Sequence, residues 1–513
     1  MNLRDTLLAA LTKLPGIRDF HLHALVTSPR KHSSLFPFAH PRPRSYLQDI
    51  VVLLSEQANP DEPHLFVTAI EASIYNITST SSAIVYVSKV DSTGQGIAPS
   101  PTTTLVRTLL TYYADPVTRP FKADHLWVQL FARAQGQYLF PNSSEFEGKR
   151  PLSDVKLCAW WKRVYTGVAE DLERRTQSKA KIQLYYILPG STEIEAIHSL
   201  NFTSGSGVTS SSSTSLSWTY GHPYSQSDIP LPCPGANASK NLGHYIPSFD
   251  DDPKSRFIDE IAYTTDADGI KSPAKKRPRM DSANSAEAKE GPKNVVRGKE
   301  VDGELNKVTP DEFWERMSFR QECIAGVLTG FFTMVVSSPV ARELSQSDIS
   351  PLAPQAGQVA SQMTKRVLTS LLTANEFSTT ERTIRATAFL EETIKGLCDG
   401  LKPASEPPTI AFKKPTSLSH PASDRPKTPE PETRQQLAPP QTPPPRMING
   451  KRIIPDISPN PFPEPVTSLE TYESFIYGSV HVDNLPLAPK VPVGTGVSIP
   501  PVTVLTVRKK KRT

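Results

Sequence analysis

Cysteine is scarce. The 513 residues hold four, Cys158, Cys233, Cys323 and Cys398, with no C-x-x-C pair and no histidine at ligand spacing beside them. That excludes a disulfide-framed secreted domain and a thiolate zinc module, and fits reduced thiols in a cytosolic or nuclear protein. Long apolar runs are missing too: no stretch approaches the ~18 uninterrupted apolar residues of a membrane span. The opening MNLRDTLLAALTKLPG carries Asp5 early and its apolar run is short. It reads as an amphipathic helix with Leu7, Leu8 and Leu11 on one face, not as a signal peptide. Composition alone carries no catalytic signature.

Proline, by contrast, is in excess. There are 50, against a usual share of ~5%. Length would allow about three domains of ~150 residues, but so much proline implies long unfoldable stretches and one large folded unit. The reading is a domain over residues 1–402, then a disordered Pro-rich tail over 403–513 with a basic end, VRKKKRT. Two flexible inserts interrupt the domain: a Ser/Thr/Gly tract at 203–215 and a polar stretch at 264–307, too poor in apolar residues to pack. The net charge is only +5, yet the cations are clumped, as in KKRPR at Lys275–Arg279 just after Ser272-Pro273. A compact cationic run in a loose loop suits the acidic groove of an import receptor, which points to the nucleus. The plainer reading is a solvated charge run. The terminal cluster has the same two readings, plus nonspecific contact with polyanions; no specific nucleic-acid recognition is expected.

Within the domain, FHLHALV, QDIVVLLSEQ, HLFVTAIEASIYNI, SAIVYVSKV, HLWVQLFARA and AKIQLYYIL read as strands, being short, β-branched and bounded by turn residues. TTTLVRTLLTYY and SDVKLCAWWKRVYTGVAEDLERR have helical period, the second opened by Ser153 or Asp154. Thr309, Pro310 and Glu312 form a capping box ahead of a helix, and Ser378 with Glu381 forms another. This order has no βαβ rhythm. It predicts an α+β fold, a central mixed sheet with helices around it.

Three stretches could carry chemistry. In VSKVDSTG a strand runs into a Gly turn whose backbone N–H groups could cradle phosphate, although such turns are common. FARAQGQYLFPNSS and LCAWWKR bring Tyr138, Phe140, Trp160 and Trp161 together with Arg133, Lys149 and Arg150. They read either as core packing or as a slot for an extended aliphatic chain with cations at its mouth for phosphates. The third is SFDDDPKSRFIDEIA, where Asp250, Asp251 and Asp252 stand between apolar neighbours and Lys254. Asp252 fits the N-cap of a helix beginning at Pro253.

Taken in order, VSKVD-TG, QYLFP-SS, WW, DDPKSRFI and FW-----RQE resemble the fungal histone H3 acetyltransferases of the regulator of Ty1 transposition family, in patches over about residues 1–400. The resemblance implies a fold like that of the metazoan p300/CBP acetyltransferases, with acetyl-CoA as co-substrate and no metal. It implies histone H3, within H3–H4, as substrate. It also implies histone chaperones of the anti-silencing-function and nucleosome-assembly-protein types as partners, in replication-coupled nucleosome assembly and the DNA damage response. By the same resemblance Val90, Asp91, Ser92, Phe131, Arg133, Arg150 and Trp160 lie along the cofactor, Arg150 standing where some members have histidine. Tyr138, Trp161 and Asp252 surround the substrate lysine with Asp251 adjacent, and Lys254 matches a lysine that the family acetylates on itself. The chemistry suits the residues. A lysine amine with pKa ~10.4 is only about 0.1% neutral near pH 7.4, a handicap of roughly 4 kcal/mol, and a carboxylate held out of water among like charges is a better base to relieve it. Without the family blocks, a non-enzymatic nuclear chromatin scaffold would be the alternative.

Overall fold

The computed structural model describes residues 2–175, 180–202, 216–235, 240–263, 303–320, 323, 327–338, 350–399, 447–448, 451–452 and 460–486. The insert at 203–215, KKRPR and VRKKKRT lie outside them. Ten strands form one sheet in the order β12-β1-β3-β4-β5-β6-β9-β7-β8, with β2 beside β3. The strands are β1 Gly16–Val26, β2 Arg30–His32, β3 Ser45–Gln57, β4 Leu65–Ile77, β5 Ser82–Ser92, β6 His125–Arg133, β7 Lys181–Ile187, β8 Trp218–Tyr220, β9 Thr329–Ser337 and β12 Tyr477–Asn484. A separate two-residue ladder joins Met447–Ile448 (β10) to Lys451–Arg452 (β11). Pairing is antiparallel except between β5 and β6 and between β7 and β8. Each parallel pair is bridged by a helix, so two crossover units sit within the mixed α+β sheet that the sequence suggests.

The strands read as near-continuous apolar runs because both faces are covered. Side chains alternate between faces, so each run is divided between two cores. In β3, Ile50, Val52 and Leu54 enter one core, and Val51 and Leu53 the other side. The first face is covered by α1 Leu3–Leu11, α2 Thr102–Ala114, α3 Asp154–Arg175 and α4 Glu193–Phe202. On the opposite face α5 Pro253–Tyr263 and α6 Pro310–Met317 cover one half, through Phe257, Ile258, Phe313 and Trp314. The other half lies under α7 Ser361–Thr373 and α8 Thr380–Asp399. The predicted cap at Thr309 forms, its side chain accepting from Glu312 N–H. At α8 the cap is Thr379, which accepts from Arg382 N–H, while Ser378 turns away and donates to Glu376. In the stretch read as a polar insert, residues 303–307 are described and Leu305 is fully buried in the core beneath α5.

The tail needs a larger correction. Residues 460–486 fold onto the body: after a short turn of helix, α9 Leu469–Thr471, and a π-helical turn at Tyr472–Ile476, β12 pairs antiparallel with β1 from Gly16↔Asn484 to His23↔Tyr477. Tyr472, Ile476 and Val482 are buried. The Arg4 guanidinium donates to the carbonyls of Glu473 and Tyr477, and Asn484 Nδ2 donates to those of Thr12 and Leu14 at 2.7 Å each. The apolar positions that pack are few and lie in a Pro-rich context, so composition masks a strand that gains its partners from β1.

Candidate functional site

Strands β5 and β6 stay in register from Ser82↔His125 to Val87↔Leu130 and then part. Strand β5 continues along β4 with a bulge at Ser88, whose hydroxyl donates to the Glu71 carbonyl at 2.9 Å. Strand β6 continues along β9 as far as Arg133. A bulge bends its strand, and here the bend opens a cleft of about 330 Å³ between the carboxyl ends of two parallel strands. Val90, Asp91, Ser92, Phe131, Arg133, Arg150 and Trp160 all line it, as do Tyr138 and Trp161. Its walls are apolar, from Leu130, Phe131, Leu157 and the two tryptophans, while Arg133 and Arg150 stand exposed at the rim. Thr102 and Thr103, at the start of α2, line it as well. Thr103 Oγ1 accepts from Trp160 Nε1 at 3.0 Å, and Trp160 meets Trp161 edge-on with ring centroids 4.6 Å apart.

Asp91 holds the cleft in shape. One carboxylate oxygen accepts from the backbone N–H groups of Tyr138, Leu139 and Phe140 at 2.7, 2.9 and 3.1 Å. The other accepts from Ser92 N–H at 2.8 Å and Lys149 Nζ at 2.9 Å. Lys149 is buried, and also donates to Ser143 Oγ at 2.7 Å. It is therefore a structural cation, not one at the mouth. The VDSTG turn is likewise no phosphate cradle: Thr93 N–H goes to Val67 O, Gln95 N–H to Thr93 Oγ1, and Gly94, at φ +78°, packs so closely on Lys149 that a Cβ would lie 2.6 Å from its Cα. Glycine is needed there for that approach and for the positive φ. The Tyr138 hydroxyl donates to the Arg133 carbonyl. Burial, aided by the Asp91 charge, pushes its pKa up to about 12, so it stays a neutral donor near pH 7.

The three aspartates are not a crowd of like charges. Asp250 is exposed, and Asp251, mostly exposed, pairs with Lys89 at 3.1 Å. Lys89 lines the cleft and also meets Glu71 at 2.9 Å. Burial opposes its charge, but these two carboxylates outweigh burial and hold its pKa above the usual lysine value. Asp252 is fully buried. Its Oδ1 accepts from Lys254 N–H at 2.9 Å, the N-cap bond of α5, and Lys254 Nζ lies 2.7 Å from Oδ2. Among the described residues nothing meets Oδ2 in hydrogen-bond geometry, so this contact is an ion pair only. Three rings enclose the ammonium: Phe331 at 4.9 Å, Phe249 at 5.5 Å and Trp314 at 6.0 Å from their centroids. Tyr86 stacks on Phe249 at 4.0 Å. A buried ion pair within an aromatic box is the result.

Asp252 and Lys254 do not line the cleft. They stand one step along the sheet from it, because Phe131 on its wall pairs across β6–β9 with Phe331, the rings 4.7 Å apart. Lys89, Ser88, Thr102, Thr103, Trp314 and Phe331 escaped sequence reasoning. Their places depend on register and on the parting of β5 from β6, which no local motif announces. Ser88 and Lys89, in VSKVD, and Trp314, in FW, lie within blocks that carry the resemblance, yet nothing in those blocks singles them out. Among the described residues no cluster of His, Cys, Asp and Glu could hold a metal ion.

A family model described as the histone acetyltransferase KAT11-type domain matches residues 117–393, more than half of the chain. Among curated proteins the chain is similar to histone acetyltransferase rtt109 of Aspergillus flavus, 29% identical over 313 residues, covering 56% of this chain and 48% of the relative. It is also similar to histone acetyltransferase rtt109 of Schizosaccharomyces pombe, 25% identical over 304 residues, covering 56% of this chain and 61% of that one. The matches thus span about half the length of these curated relatives. Among solved structures the fold matches that of Rtt109 from Aspergillus fumigatus, with a TM-score of 0.56 at 24% identity, over 77% of this chain and 96% of the other.

Proposed function

Because the chain belongs to the histone acetyltransferase KAT11-type family, we propose that it transfers the acetyl group of acetyl-CoA to lysine side chains of histone H3 presented with H4. One observation carries the reading. An apolar cleft with cations at its rim lies one sheet position from a buried carboxylate–lysine pair in an aromatic box. The cleft fits the co-substrate by its chemistry: apolar walls for the pantetheine arm, with Arg133, Arg150 and the N–H groups at the start of α2 for phosphates. Val90, Ser92, Phe131 and Trp160 are its contact residues, and Asp91 positions the Tyr138 loop.

The substrate ammonium must lose a proton before its nitrogen can attack the thioester carbonyl. The N–C bond then forms, the C–S bond breaks, and the thiol leaves. Tyr138 and Trp161 sheath the lysine stem and keep water out. Asp252, with Asp251 nearby, receives the proton. In the unmodified chain Asp252 is occupied by the Lys254 ammonium. Self-acetylation of Lys254 turns that ammonium into a neutral amide, ends the ion pair and leaves the carboxylate a stronger base. The chain acts in the nucleus, entering through KKRPR, and histone chaperones present its substrate. Labelled acetyl-CoA incubated with H3–H4, with and without a chaperone of the anti-silencing-function type, tests the reading. Label on H3 that rises with the chaperone is expected. Its absence from histone under both conditions leaves the non-enzymatic scaffold.

A further inference from the structure

A second cleft, of about 500 Å³, lies beyond Trp314. Ile187, Trp314, His222, Tyr220, Asp311 and Glu315 are among the residues that form it. It continues the row already described. Phe131 pairs with Phe331 across β6–β9, and Phe331 pairs with Ile187 across β9–β7. Residues directly opposite in a ladder share a face, and neighbouring strands lie ~4.8 Å apart. The row therefore leads from the first cleft, past the box that holds Lys254, into the second. Trp314 is the shared wall: it meets Phe331 edge-on at 4.8 Å, stands 6.0 Å from Lys254 Nζ, and stacks on His222 at 5.9 Å.

The second cleft has a definite polarity. Its charged lining residues are Asp311 and Glu315, both exposed, with no lysine or arginine. His222, with a side chain only 7% exposed, sets Nε2 3.0 Å from Asp311 Oδ1. Burial lowers its pKa against the pull of Asp311, so near pH 7 it is neutral and carries its proton on Nε2 toward the carboxylate. Nδ1 is then a bare acceptor, and it has no partner among the described residues. Trp314 is also buried, and its Nε1–H has no acceptor among them. A buried acceptor beside two carboxylates suits the N–H groups of a lysine or arginine, and a buried indole donor suits a peptide carbonyl.

From this geometry we infer that the second cleft docks a basic segment of the protein substrate, seating a lysine or arginine against Asp311, Glu315 and His222 while a neighbouring lysine enters the transfer site. The inference rests on the reading of the first cleft and adds to it where the flanking sequence of the substrate binds.

The test separates binding from turnover. Binding of a fluorescein-labelled peptide copied from the basic histone H3 tail is measured by anisotropy to full-length chain, without acetyl-CoA, for wild type and for Asp311→Asn/Glu315→Gln. An exposed pair far away, Asp61→Asn/Glu62→Gln in the β3–β4 turn, controls for bulk charge. The Asp311/Glu315 variant is expected to raise Kd, and KM for H3–H4, by roughly tenfold while leaving KM for acetyl-CoA and kcat unchanged. The control should change neither by more than a factor of about two. Wild-type binding should weaken with added salt. Equal Kd for wild type and the Asp311/Glu315 variant, or equal loss in the control, overturns the inference. A wild type that binds the peptide through these carboxylates yet transfers no acetyl group refutes the catalytic reading and leaves the docking cleft standing.

Discussion

Lys254 and Asp252 form a pair whose two members cannot be tested alone without disturbing the other. With side chains 4% and 0% exposed, removing one charge leaves its partner buried and uncompensated, a loss of roughly 3–5 kcal/mol. Asp252→Asn keeps a capping side chain, but the burial of Lys254 argues that its melt will fall. Lys254→Arg keeps the charge but blocks acetylation, and puts a larger fork inside a box of three rings. Lys254→Gln approximates the neutral acetylated state. The glutamine variant is expected to transfer acetyl faster than the arginine variant, and mass spectrometry of active wild type should find Lys254 partly acetylated. An unmodified Lys254 in fully active protein, or equal rates for the two variants, makes this lysine only a structural partner of Asp252. Trp161 is a cleft wall and a core residue at once, so Trp161→Ala should cost about 3–5 kcal/mol of stability as well as activity. Its thermal melt must accompany every rate.

At the scale of elements, the most telling is the C-terminal segment that adds β12 to the sheet. Its Tyr472 hydroxyl lies 3.1 Å from His23 Nε2, and its Tyr477 hydroxyl 2.9 Å from His21 Nδ1. His21 stacks on His64 at 3.7 Å, and His64 meets Glu391 of α8 at 3.2 Å. Complete burial pushes the His23 pKa down to about 4, against the pull of Glu391. Between that value and the unfolded ~6.5 the unfolded chain binds more protons than the folded one, so stability must fall as pH drops through this window. The loss reaches about 3 kcal/mol for His23 once it is fully protonated. Melting curves from pH 7 to pH 4 should show that decline, and His23→Gln should flatten it; a pH-independent difference between the two proteins would refute it. Deleting 460–486 is expected to lower the melting temperature by exposing Leu7, Phe20 and the rest of the core beside β1, whereas a true tail could be removed without effect. The helices α2, α3 and α8 and the strands β1, β3–β7 were legible because each has a strong apolar period and clear turn residues at its ends. Helix α7 and strand β12 were not, since their apolar residues are fewer and their stability comes from partners distant in sequence.

Over the whole molecule, the sequence disclosed the parts of the site more readily than their arrangement. Nine aromatic, apolar and charged residues named from sequence meet in one cleft, yet the DDDPK run divides into an exposed pair, Asp250 and Asp251, and a buried Asp252 behind the Phe131–Phe331 row. Runs of like charge look alike in a sequence; burial, which separates them, is set by tertiary packing. The cationic run in the polar insert lends itself to a simpler test. Removing Lys275–Arg279 should leave the melt and acetyl transfer unchanged in vitro while shifting the protein toward the cytoplasm in cells, unless the Arg508–Arg512 cluster alone supports import. Full nuclear entry after loss of both would refute import through these clusters. The central claim is that Asp252 serves the acetyl transfer, not only the cap of α5. The most direct measurement compares label transfer from acetyl-CoA to H3–H4 by Lys254→Gln and by Asp252→Asn/Lys254→Gln. The lysine charge is absent from both and asparagine still caps the helix, so the comparison turns on the carboxylate. Loss of at least about a hundredfold in kcat in the double variant, with a melt no lower than that of Lys254→Gln, in which the Asp252 charge is left buried and unpaired, is the expected result. A double variant that keeps its rate within a factor of about two contradicts the claim.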